Sequence, residues 1–71
     1  MLPLLIAVGQ ALYGERWQSP LARDLGVSDR TMRRWAAGQF PVPAGVAADL
    51  LKLCEARAGR LGQLAKKLEA R

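Results

Sequence analysis

Between Gln18 and Gly38 the chain reads as two short helical segments punctuated by glycine: QSPLARDL, then Gly26-Val27-Ser28, then DRTMRRWAA closed by Gly38. Ser19 is placed to cap the free amides of the first helix, and Pro20 suits the first helical position, where no bonded N–H is needed. That helix is expected to begin near Ser19. Leu21, Ala22 and Leu25 share one face of it, and Gly26 can end it by taking a positive φ. Ser28 can cap the second helix, Asp29 suits the dipole in its first turn, and Met32 and Trp35 lie on its buried side. Burying those two turns Asp29, Arg30, Arg33, Arg34 and Ala37 outward. Guanidinium groups match phosphate oxygens and can pair with the guanine edge in the major groove, which admits an α-helix. Double-stranded DNA is the expected partner.

The segment resembles the helix-turn-helix of phage Cro and repressor proteins and their bacterial relatives, the XRE type. Ala22 sits four residues before Gly26, and Leu21, Leu25, Val27, Met32 and Trp35 fall at that family's buried positions. The resemblance implies an all-α, lambda repressor-like fold of four to five short helices with a C-terminal helical extension. It implies base contacts by Asp29, Arg30 and Arg34, and backbone contacts by Gln18, Ser28, Arg33 and Gln39. For Asp29 three roles stand side by side: accepting from cytosine N4, orienting Arg30 or Arg33, or serving the helix N-terminus. The loop after Gly38 lacks the lysine or arginine common there in the family. Small regulators of phages and mobile elements, including those encoded beside anti-CRISPR genes, look similar in architecture.

The composition suits a binding module. Seventy-one residues form one domain, too short for a sizeable enzyme active site. Histidine is absent, and a single cysteine with six scattered acids supplies neither a metal cluster nor a nucleophile with an evident base. No enzyme activity, cofactor, metal or small-molecule effector is expected. Eleven basic residues against six acidic ones give a net charge of +5, which favours polyanions and salt-sensitive binding. The lone Cys54 fits a reducing cytoplasm as a small packed side chain. The apolar N-terminal stretch lacks the basic start of a signal peptide and is too short to span a bilayer, so no membrane partner is expected.

Pro3 to about Tyr13 is expected to form a first helix, with Leu4, Ile6 or Val8, Leu12 and Tyr13 covering the helix pair and Gly14 ending it. Trp17 reads as a hydrophobic staple and Trp35 as core. Pro41 and Pro43 stiffen the following loop, beneath which Phe40 is expected to plug the core. A further helix should start near Pro43 and Ala44. Along it Val46, Leu50, Leu53, Arg57, Leu61, Leu64 and Leu68 recur at steps of three and four. Gly59 and Gly62 each cost about 1 kcal/mol in a helix interior, so a break near Gly59 is open. This divides the chain into a DNA-binding domain, residues 1–58, and an extension, residues 59–71. Leu61, Leu64 and Leu68 are the expected homodimer contacts, with packing inside one five-helix chain as the alternative. A homodimer would read an inverted-repeat, palindromic operator as an autoregulatory repressor. An antitoxin-like protein with a separate partner, and an excisionase- or recombinase-type targeting domain, are the other readings.

Overall fold

Four helices and no strand make up the chain in the computed structural model, which describes residues 1–71: α1 (Leu2–Tyr13), α2 (Gln18–Leu25), α3 (Asp29–Ala36) and α4 (Val46–Glu69). The fold is all-α, as the periodicity requires.

The α2–α3 pair is built from local chemistry. Gly26 takes φ 74 and ψ 26, and the Val27 N–H donates to the Ala22 carbonyl at 2.9 Å while the Gly26 N–H donates to Arg23 at 3.2 Å. This paired pattern satisfies two carbonyls that a helix end would otherwise leave open. Ser28 is extended, and its Oγ accepts from the Thr31 N–H at 3.1 Å, a side-chain cap of the expected kind. Only three residues separate the helices, so their relative placement is fixed by two caps and the contacts beneath them.

Those contacts form one core of eight buried side chains: Leu5, Trp17, Leu21, Ala22, Met32, Trp35, Val46 and Leu50. Leu5, Leu21 and Met32 are fully buried, each contributing about 1.5–3 kcal/mol by leaving water. Leu25, Val27 and Val42 pack around them.

Three local expectations are corrected. Leu4 is 65% exposed, and Leu5 is the α1 residue that enters the core. The reason is Gly9, which lies on the same face as Leu5 and is itself buried beneath the Trp17 indole. A Cβ at Gly9 would stand 2.3 Å from Trp17 Cε3, so only glycine lets that ring settle against α1. Ser19 does not cap α2. The helix starts at Gln18, with Trp17 as the N-cap in helical conformation and no side-chain cap bond; the Leu21 N–H donates to the Trp17 carbonyl at 3.0 Å. Burial of Trp17 sets that start, and Ser19 becomes an exposed first-turn residue. Phe40 is 52% exposed and plugs nothing.

α4 starts at Val46 after a turn at Ala44 and Gly45, and it runs unbroken through Gly59 and Gly62. α1 lies alongside it in the same direction. Leu4 and Val8 line a groove together with Ala47 and Leu51 near the start of α4, and one turn past Val8 the Leu12 carbonyl accepts from Arg57 Nη1 at 3.1 Å. Arg57 thereby supplies a donor and a positive charge at the C-terminus of α1. The Tyr13 hydroxyl donates to the Asp24 carboxylate, and Arg57 stands 6.0 Å from the Tyr13 ring centroid, so α1, α2 and α4 are tied together here. Beyond this latch α4 leaves the body. Every residue from Glu55 onward is exposed, and the chain measures 49 × 22 × 20 Å.

Candidate nucleic-acid interface

α3 carries its charge on the side away from the core. Met32 is fully buried and Trp35 nearly so, which fixes the rotation of the helix; Asp29, Arg30 and Arg33 are exposed, and Arg34 is half-buried. Arg30 and Arg34 stand one turn apart, with Arg33 beside them. The side-chain hydrogen bonds of the molecule join Tyr13 to Asp24, Ser28 to Thr31 and Arg57 to Leu12, and use none of the α3 guanidinium groups. Five N–H donors on each of these arginines thus remain available to an outside acceptor.

Arg34 has an aromatic neighbour and partial burial that Arg30 and Arg33 lack. Its guanidinium carbon lies 5.3 Å from the centroid of the Phe40 ring, in a shallow cleft completed by Thr31 and Trp35. The turn that makes this contact is again glycine-led. Gly38 has φ 74, its N–H donates to Trp35, and the Gln39 N–H donates to the Arg34 carbonyl, both at 3.0 Å. The chain reverses after α3 and lays Phe40 against the arginine. Hydropathy alone points Phe40 into the core and does not show this pairing; the signal for it in the sequence is Gly38, whose reversal returns the chain toward the last turn of α3.

The other expected contact residues flank this face in different ways. Ser28 is exposed, but its hydroxyl donates to Thr31 Oγ1 at 3.0 Å and accepts from the Thr31 N–H, so its first task is holding the start of α3. Gln18 is half-buried in the first turn of α2, where Glu15, Arg16 and Ser19 share a shallow polar cleft with it. Gln39 is exposed just past α3. Leu61, Leu64 and Leu68 lie together on the projecting part of α4, all exposed and far along the chain's long axis from the body.

No protein-family model, curated protein or solved structure matches the chain. No helix is long and apolar enough to cross a membrane.

Proposed function

We propose that this chain is a sequence-specific duplex-DNA-binding regulator that lays α3 in the major groove and represses transcription from an inverted-repeat operator as a pair of subunits. Asp29, Arg30 and Arg34 face base edges; Gln18, Ser28, Arg33 and Gln39 face the sugar–phosphate backbone. The observation that carries the reading is a cluster of outward arginines on a short helix whose opposite side is locked into the core by Met32 and Trp35. A rigid backing matters because base readout needs side chains held to within a fraction of an ångström. The net charge of +5 adds a sequence-independent attraction that weakens as salt rises. The resemblance of residues 18–38 to the Cro and repressor helix-turn-helix supports the same reading, and with it a small autoregulatory repressor of a phage or mobile element, working in the bacterial cytoplasm.

One experiment tests this directly: footprinting of the purified protein on the DNA upstream of its own coding region. The expected result is a protected, two-fold symmetric site that is lost as salt rises. A folded protein that protects no duplex even in dilute salt overturns the reading.

A further inference from the structure

Deepening the proposed pairing of subunits, we infer that α4 docks antiparallel on α4 of a second copy of this chain, seating Leu68 of each copy in the groove formed by Met1, Leu4 and Leu51 of the other.

Two surfaces of one chain motivate this. The first is an entirely apolar groove between α1 and α4, walled by Met1, Leu4 and Val8 on one side and Leu51 and Cys54 on the other. Leu4 and Leu51 remain more than half exposed there. The second is the overhang of α4, a single helix with nothing beneath it, which exposes Leu61, Leu64 and Leu68. An isolated helix of that length is marginal in water and gains its stability by burying an apolar face.

The pattern along α4 joins the two surfaces. Val46, Leu50 and the half-buried Leu53 are consumed by the chain's own core, and Arg57 by the α1 carbonyl, so the seam through those positions is not the one offered outward. A different stripe is: Leu51, Cys54, Ala58, Leu61, Ala65 and Leu68, spaced alternately three and four residues apart. That is the repeat by which two helices pack side by side.

Direction follows from shape and charge. In an antiparallel pair the stripe meets its copy as Leu51 with Leu68, Cys54 with Ala65, and Ala58 with Leu61, so a large side chain faces a large one in the groove and a small one elsewhere. The same arrangement brings Glu55 toward Lys66 of the second copy and Lys52 toward Glu69 of the second copy. A parallel, in-register pair loses these cross-pairs, because its two-fold axis runs along the seam and puts equivalent residues on opposite flanks, and it turns groove toward groove, leaving a void where the overhang would have fitted. A two-fold axis makes each contact occur twice, so both grooves and both overhangs are covered together.

Sedimentation of the full chain without DNA, and disulfide trapping under oxidised glutathione, test the proposal. The wild-type chain is expected to sediment as a dimer and to give no disulfide-linked dimer, because Cys54 faces Ala65 of the second copy. The A65C variant is expected to cross-link through Cys54, and the C54A/A65C double variant is not. L68D is expected to weaken the dimer by about a hundredfold or more, since two leucine seats are lost per pair. Leu68 is exposed in the single chain, so this variant keeps its fold. Monomers at every concentration, a wild-type chain that cross-links through Cys54, a cross-linked C54A/A65C variant, or an L68D chain that dimerises normally would each overturn the proposal. A monomer that still protects DNA would remove the pairing alone; a dimer that protects none would remove the DNA reading alone.

Discussion

Arg34 rests its guanidinium against the ring of Phe40, 5.3 Å from the centroid, while Phe40 itself stays half exposed. An exposed aromatic that supports a cation contributes little to folding, about 0.5–1 kcal/mol. Under the proposed function its value lies in limiting the rotamers of a long side chain before DNA binds, which lowers the entropy lost on binding. Phe40→Ala is therefore expected to leave the melting temperature nearly unchanged and, under the proposed function, to weaken binding to the preferred duplex, with discrimination relaxed at the base proposed for Arg34. Calorimetric melting alongside fluorescence anisotropy on matched and mismatched sites checks both halves.

Arg33 and Arg34 are adjacent yet are expected to fail differently. Arg34→Ala should cost roughly 1–3 kcal/mol on the preferred site and little on unrelated duplexes. Arg33→Ala should weaken all duplexes alike and flatten the salt dependence by roughly one unit per contact in each subunit. Titrations over a salt series, on one specific and one scrambled duplex, separate the two; identical profiles for the two variants would contradict the assignment.

The α2–α3 segment was legible because its determinants are local: glycines at positive φ, a serine cap three residues before the N–H it accepts from, and a period that puts Met32 and Trp35 inward. What surrounds it was legible only in part, because the missing determinants act across the fold. Gly9 has no hydropathy to announce itself, yet its bare Cα receives Trp17; the ring then selects Leu5 over Leu4 and moves the start of α2 ahead of Ser19. Arg57 is the one charged position in the regularly spaced series from Val46 to Leu68, and it serves a carbonyl 45 positions away in sequence, which no local pattern announces. The continuity of α4 was open for a simpler reason. Two glycine penalties of about 1 kcal/mol each compete with many good helix formers, and the sum, not either glycine, decides.

Tyr13 gives the latch between α1, α2 and α4 a pH signature. Burial, the hydrogen bond to Asp24 and the charge of that carboxylate together push its hydroxyl from 10.0 up to about 12, with Arg57 pulling the other way. The folded chain thus holds this proton more tightly than the unfolded one. Its contribution to stability is complete below pH 10 and is lost as pH climbs toward 12. Tyr13 is the sole tyrosine, so tyrosinate absorbance follows it alone and is expected to rise near pH 12 in the folded protein. Tyr13→Phe should be less stable than wild type at neutral pH and should lose the part of the alkaline stability slope that Tyr13 supplies.

Glycine substitutions at two helical positions should move stability in opposite directions. At Gly9 an added methyl group meets the Trp17 ring at 2.3 and 2.6 Å, and a buried indole wedged between helices cannot swing aside. Gly9→Ala is expected to cost about 1–3 kcal/mol by overpacking, and to shift the tryptophan fluorescence, to which Trp35 also contributes, as the Trp17 ring is displaced. At Gly59 nothing lies within 4 Å of the added atom and the backbone is ordinary helix, so Gly59→Ala should stabilise the chain by about 0.5–1 kcal/mol. Urea unfolding measures both. Because Gly59 lies off the Leu51–Leu68 stripe, its replacement should also leave the oligomeric state unchanged. A Gly9→Ala chain as stable as wild type would mean that Trp17 does not pack against α1 as described, and that α2 takes its starting point from something other than this ring.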